Sequence, residues 1–261
     1  MPSNPLAEDQ NISTASRPSG HPLEEILYRL RDPRLVTDTL WRATEEKWHL
    51  VSWSEFSGLF RKVRRYTMCS APRLRALHQA AKYIVASKLG GDVVECGCAR
   101  GGSAALIALS LQSLGERRKM WLFDTFEGLP APSVNDPDYR IADLFTGTCV
   151  GRLDEVREMF RSQGVAEGVS FVKGLFQDTL STAPIGRIAL LHIDGDWYES
   201  VKVCLETLYD KVVPGGYIQF DDYGYWKGAR RAVDEFLAKR QIREPLKKLD
   251  YSGRSLVKPQ D

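Results

Sequence analysis

Apolar positions along the chain fall into two rhythms. From Leu23 to about Ser87 they recur every three or four residues, which predicts helix. Leu27, Leu30, Trp41, Trp48, Trp53, Phe56, Leu59, Phe60 and Val63 are the large apolar side chains there, and most are expected to pack on a core, although such a lead-in could also cover a site. Ser70 is placed to cap the helix that runs on toward Gly90-Gly91, with His78 inside it as a packing or surface residue. Beyond Gly91 the rhythm becomes short apolar runs alternating with amphipathic stretches. Strands are predicted at 92–97, 119–126, 169–174, 187–194 and 216–222. Helices are predicted at 101–115, 150–164, 197–212 and 227–240, the last with Ala229, Ala232, Val233 and Phe236 on one stripe. The stretch PLKKLDYSGRSLVKP predicts two short strands around Ser252-Gly253. Strand–helix alternation implies a doubly wound α/β fold, a mostly parallel sheet with right-handed crossovers, closed by an antiparallel hairpin at one edge.

Composition bounds the class. The chain has 261 residues, 43% hydrophobic and 27% charged, as expected for a soluble globular protein with one large domain. Residues 1–22 are polar and Pro/Ser-rich and are expected to be a disordered tail. Residues 23–66 form a helical extension and 67–261 the α/β domain. A net charge of +2 gives no field for nucleic acid or an anionic membrane surface. No apolar run approaches the ~20 residues of a membrane helix. The N-terminus lacks the pattern of a secretory signal, so the cytoplasm is the expected address and Asn11-Ile12-Ser13 a chance glycosylation match. Five cysteines without metal-type spacing argue against a disulfide framework, and Cys96 and Cys98 read as reduced packing residues.

Two features carry chemistry. The segment VVECGCARGGS places Glu95, Gly97, Gly101 and Gly102 between a strand and a helix, where glycines let backbone approach a ligand closely. It is neither G-x-G-x-x-G nor a phosphate-binding P-loop. The acid before its first glycine suits a ligand with a cationic end, and Asp124, at the end of the next strand, suits ribose hydroxyls. Together these point to S-adenosylmethionine rather than a dinucleotide. The second feature is a pair of acid pairs. Asp194-Gly195-Asp196 and Asp221-Asp222 end two strands expected to lie side by side, which brings all four carboxylates to one edge. Two such charges ~4 Å apart repel by about 4 kcal/mol at an effective dielectric of about 20. Either some protonate or a cation binds. An all-oxygen set favours a hard ion, Mg²⁺ above all. The competing reading makes Asp196 and Asp222 helix N-caps and solvated turn residues.

In order and spacing, VVECGCARGGS, FDTFEGLP, HIDGDWYES and GGYIQFDDYG resemble the macrocin O-methyltransferase family, over about Arg65 to Phe236. The resemblance implies a class I methyltransferase (Rossmann-like) fold with a seven-stranded sheet, S-adenosyl-L-methionine and Mg²⁺ as cofactors, and a sugar hydroxyl of a glycosylated natural product as acceptor. It implies that Asp194, Asp221 and Asp222 hold the metal and that Asp196 is the general base. Glu95, Gly97 and Ser103 would meet the methionine end of the cofactor, Asp124 the ribose, and Gln177 and Asp178 the adenine. Thr67 and Met68 match a segment that folds over the cofactor. A homodimer or higher assembly is implied at the family level.

The chemistry fits that set. An aliphatic hydroxyl titrates near water, at about 15.7, and a free Asp at about 3.9, so a carboxylate alone cannot remove its proton beforehand. Coordination by a metal lowers the hydroxyl's pKa and lets a carboxylate accept the proton as the new bond forms. A phenol, near 10 by analogy with Tyr, needs less help, so the metal tilts the acceptor toward a sugar over a catechol. His192 is a second candidate base, although a buried histidine bonded to its surroundings is the plainer reading. Lys227 and Arg230 could neutralise the acids or simply be exposed. Trp197, Tyr198, Tyr223, Tyr225 and Trp226 suit a pocket wall, and the loop 127–148 has the length of a lid. Asp194-Gly195-Asp196 is also a D-x-D of metal-dependent glycosyltransferases, but that reading leaves the glycine loop and Asp221-Asp222 without a purpose. A binding protein on a degenerate methyltransferase fold is the third reading, disfavoured by the intact acids.

Overall fold

The computed structural model describes residues 33–260. The expected tail, residues 23–32 with Leu27 and Leu30, and the side chain of Trp41 lie outside that description. Helices α1 (Pro33–Val51), α2 (Glu55–Val63) and α3 (Ala71–Ala86) come first. Ser54 and Ser70 start α2 and α3, each side chain accepting from the backbone N–H three residues on. Phe56, Phe60 and Val63 are buried as expected. Trp48 and Trp53 are not, at 64% and 97% exposure. The reason is local: the inward position beside Trp48 is taken by buried His49, and Trp53 sits in the turn before α2.

The sheet has strands β1 (Asp92–Cys96), β2 (Met120–Asp124), β3 (Val169–Lys173), β4 (Ile188–Ile193), β5 (Val212–Phe220), β6 (Lys247–Lys248) and β7 (Arg254–Val257), in the order β3-β2-β1-β4-β5-β7-β6. The first five are parallel to one another, and β7 runs antiparallel to both β5 and β6. Strand β5 starts at Val212, earlier than the expected 216, because the Pro-Gly-Gly after the preceding helix is absorbed as a shift of register against β4 rather than ending the strand.

Alternate strand residues feed two cores. Val93, Leu122 and Leu190 meet α2, α3, α4 (Gly102–Ser113) and a helix at Leu153–Ser162. Val94, Phe123 and Leu191 meet the helices Tyr198–Leu208 and Lys227–Lys239 on the other face. With the short helices Tyr139–Ala142 and Phe176–Thr179, the helices after α4 are α5 (139–142), α6 (153–162), α7 (176–179), α8 (198–208) and α9 (227–239). The chain builds β1 to β3 outward, then returns to lay β4 against the free side of β1. That reversal opens a crevice at the carboxyl ends of β1 and β4, where ligands bind in sheets of this kind. Cys98, Cys96 and the other three cysteines are free thiols, in line with the sequence reading.

Candidate active site

At that crevice lies a cavity of about 750 Å³. Its floor is the loop after β1. Gly97 has φ +87°, and a Cβ there would come 1.8 Å from the Asp194 carbonyl oxygen, so no side chain fits. Asp124, at the end of β2, fastens this loop. Its Oδ2 accepts from the backbone N–H groups of Cys98 and Ala99 at 2.9 and 2.8 Å, and its Oδ1 from that of Phe126 at 2.7 Å. Burial pushes the Asp124 carboxyl up, and these amides oppose the shift.

Of the residues the resemblance assigns to the cofactor, Thr67, Met68, Gly97, Ser103, Asp124 and Gln177 line the cavity. Two expected residues do not. Asp178 is exposed on α7, one position past Gln177 and off the wall. Glu95 sits behind Ser103, fully buried, with Oε1 accepting from the Ser103 hydroxyl and lying 2.9 Å from His192 Nδ1. Its Oε2 is buried without a hydrogen-bond partner.

The four acids converge on the cavity wall and divide into two groups that share Asp194. Oxygens of Asp194, Asp196 and Asp222 lie within 4.8 Å of one another. None of the three takes part in an ion pair among the described residues. Burial, then the neighbouring carboxylates, pushes Asp194 and Asp196 well above the ordinary range and Asp222 up to about 6. Asp221 belongs instead with Cys69, His192 and Asp194. It is ion-paired with Arg73 and sits 3.2 Å from His192 Nε2. Gln219 donates to it at 3.3 Å, and the Cys69 thiol donates to its Oδ2 at 3.3 Å. Burial alone would raise Asp221, but Arg73 and His192 hold it well below the usual carboxylate range. Burial also works against a charged His192, yet its hydrogen bonds to Asp221 and Glu95 push its pKa up to about 10. Both ring nitrogens face carboxylates and the ring does not line the cavity, so His192 presents no free nitrogen to an acceptor.

The capping alternative for Asp196 and Asp222 fails on geometry. The N-caps of α8 and α9 are Trp197 and Trp226, and neither uses its side chain. The acids that serve these helix starts come from the long loop: Asp136 Oδ1 accepts from Tyr198 N at 2.8 Å, and Asp138 Oδ2 from Lys227 N at 3.3 Å. Trp197 Nε1 also donates to Pro130 O at 2.7 Å. The loop 127–148, which has the length of a lid, is tied to the starts of α8 and α9 by these contacts, and Leu129, Pro130, Ser133 and Phe145 line the cavity from it.

Asp196 is left free of capping duty and is held from three sides. Its backbone has φ +55°, its N–H donates to Asp222 Oδ2 at 3.0 Å, and its Oδ1 accepts from Trp226 Nε1 at 2.9 Å. Trp226 stands edge-on to Trp197, Tyr225 and Phe145, with ring centroids 4.8–5.3 Å apart. Lys227 and Arg230 do not line the cavity.

Arg73, Cys69 and Trp226 in these roles were not foreseen. Arg73 had one signal: it occupies the buried stripe of α3 with Leu74, Leu77 and Ile84. A cation on such a stripe needs an anion, and Asp221 and Asp250 supply it.

A parallel sheet reversing at β1/β4, closed by antiparallel β7, with a glycine loop after β1 and an acid at the end of β2, makes this a class I methyltransferase fold. Residues 49–257 match the description of the macrocin-O-methyltransferase (TylF) family. The chain belongs to that family and is an S-adenosylmethionine-dependent O-methyltransferase. It is 34% identical over 194 residues to an 8-demethyl-8-(2,3-dimethoxy-alpha-L-rhamnosyl)-tetracenomycin-C 4'-O-methyltransferase of Streptomyces olivaceus, covering 72% of this chain and 74% of that one. It is 37% identical over 195 residues to the demethyldecarbamoylnovobiocin O-methyltransferase of Streptomyces niveus, again covering 72% and 74%. Among solved structures, the O-methyltransferase NovP superposes with a TM-score of 0.69 at 34% identity, covering 75% of this chain and 83% of that one.

Proposed function

We propose that this protein transfers a methyl group from S-adenosylmethionine to a sugar hydroxyl of a glycosylated natural product, with the help of a divalent cation of the Mg²⁺ type. The observation that carries the reading is the cluster of Asp194, Asp196 and Asp222, uncompensated by any ion pair among the described residues, in the same cavity as the glycine loop. The rhamnosyl in the name of the Streptomyces olivaceus relative supports a sugar acceptor. The chemistry of the donor set fits a hard cation: all oxygens, crowded together with no ion-pair partner among the described residues. Asp194 and Asp222 would hold the ion directly. Asp221 would be the third ligand, through the Oδ2 that Cys69 and Arg73 now contact. The buried, unpartnered Glu95 Oε2 fits a cationic amino end, and the Gly97 floor leaves room for backbone to approach the cofactor.

When bound, S-adenosylmethionine supplies the electrophilic methyl and the cation lowers the pKa of the acceptor hydroxyl. The rest is the chain's work. Trp226 holds Oδ1 of Asp196, which turns Oδ2 toward the proton that leaves the hydroxyl as the oxygen–carbon bond forms and the carbon–sulfur bond breaks. The Trp197, Tyr225, Trp226 and Phe145 rings exclude water and give the acceptor a flat apolar wall. Asp124 and the loop it fastens keep the sulfonium end in line with the acceptor, since such displacements depend mainly on positioning.

The test is methyl transfer to a panel of deoxysugar glycosides with vicinal hydroxyls, read by mass, with Mg²⁺ or with EDTA. Transfer of one methyl to the sugar, lost with EDTA and restored by Mg²⁺, is the expected result. Transfer that persists in EDTA sinks the metal role, and transfer only to phenols sinks the sugar acceptor.

A further inference from the structure

The sheet carries a polar row where an apolar one would fold as well. Glu95 on β1, His192 on β4, Gln219 on β5 and Ser255 on β7 are successive register partners. They are 0%, 0%, 0% and 3% exposed. Two residues earlier on the same face, the row begins Val93, Leu190, Tyr217. Burying polar groups in the middle of a sheet costs stability unless each is paired, and apolar replacements are often neutral or better. The pairing here is directional. His192 spans two carboxylates, with Nδ1 at 2.9 Å from Glu95 Oε1 and Nε2 at 3.2 Å from Asp221 Oδ1. Ser103, which lines the cavity, donates to the same Glu95 oxygen. The ring has no other hydrogen-bond partner among the described residues and no exposure, so Glu95 fixes the ring, and the ring, with Gln219, holds Oδ1 of Asp221 while Arg73 and Cys69 hold Oδ2.

We propose that His192 is a positioning residue for the cation cluster, and that Glu95 acts on that cluster through it. The Glu95–His192 pair sets the orientation of Asp221, and with it the affinity of the acids for a divalent cation, before any cofactor is bound. Glu95 thus serves two ligands, although it lies on the cofactor side and lines neither the acid wall nor the cavity. The inference rests on the reading above that the acids take an ion.

The test measures Mn²⁺ binding to the full chain by EPR and calorimetry with no cofactor present. His192→Gln and Glu95→Gln should each weaken Mn²⁺ by about 10- to 100-fold, the range for residues that orient metal ligands from behind. The double variant should be no weaker than the worse single one, because the two act as a unit. A purely structural role would lower thermal stability and leave Mn²⁺ affinity alone. If the wild type binds Mn²⁺ and Glu95→Gln binds it equally well, the inference is overturned and the proposed function stands. If the wild type does not bind Mn²⁺, both fall. Should either variant not fold, the wild type labelled with ¹⁵N-histidine answers the question. The His192 ring N–H signals should shift on titration with Mg²⁺ alone, and signals that stay in place through saturation overturn the proposal.

Discussion

At the residue scale, the site turns on which carboxylates have a partner. Asp221 has Arg73 and His192, while Asp194, Asp196 and Asp222 face one another with no ion pair among the described residues. Replacing Asp196 by Asn keeps the Trp226 contact and the size of the side chain. We expect S-adenosylhomocysteine binding by calorimetry to be unchanged and methyl transfer to fall by about 10²- to 10⁴-fold, the usual contribution of a general base. Normal turnover would remove Asp196 from that role. Arg73→Met should do the opposite of a surface substitution. It leaves Asp250 without its cation and Asp221 with His192, Gln219 and Cys69 but no guanidinium, and breaking a buried ion pair costs about 3–5 kcal/mol in a denaturant melt. Much of this was legible beforehand. The acid pairs and the glycine loop stood out because strand ends rarely carry carboxylates beside glycine. Arg73 was not, because a helical pattern reads an arginine as solvent-facing unless its partner is known, and Asp221 and Asp250 lie far along the chain.

At the element scale, the loop between β2 and α6 does what its composition hid. Asp136 and Asp138 serve the starts of α8 and α9 across the fold, whereas sequence reasoning looks for a cap in the residue just before a helix. Asp136→Ala should cost about 1 kcal/mol, the usual loss for a cap, and loosen the acceptor wall so that KM for the sugar rises more than kcat falls. The α1–α3 region gives two further checks. Trp53, exposed in its turn, should accept Ser with a stability change within about 0.5 kcal/mol. Burial lowers the pKa of His78, whose Nδ1 meets Ser110 Oγ at 2.9 Å. A lowered folded pKa means the unfolded chain takes the proton first. Stability is therefore lost as pH falls through the unfolded value near 6.5, until the folded histidine also protonates. The drop in thermal midpoint between about pH 7.5 and about pH 5.5 should be smaller in His78→Gln than in the wild type. An equal drop would exclude His78 as the source.

At the scale of the whole molecule, the parallel order, the reversal at β1/β4 and the closing hairpin all follow from alternating strand and helix patterns, because that rhythm leaves few topologies open. The contribution of the hairpin to the site could not be seen that way. Asp250 ion-pairs with Arg73 and accepts from the Ser70 hydroxyl, and Ser252 donates to the Asp221 carbonyl oxygen at 2.6 Å. These contacts span the chain: Ser70 and Asp250 are 180 positions apart, and Arg73 and Asp221 are 148. Contacts that distant are among the slowest to form, since loop closure must precede them. A nascent chain would thus display the glycine loop and all four acids while Arg73 still lacks its second anion. Competence for chemistry is expected to come last in folding, when the hairpin docks against β5.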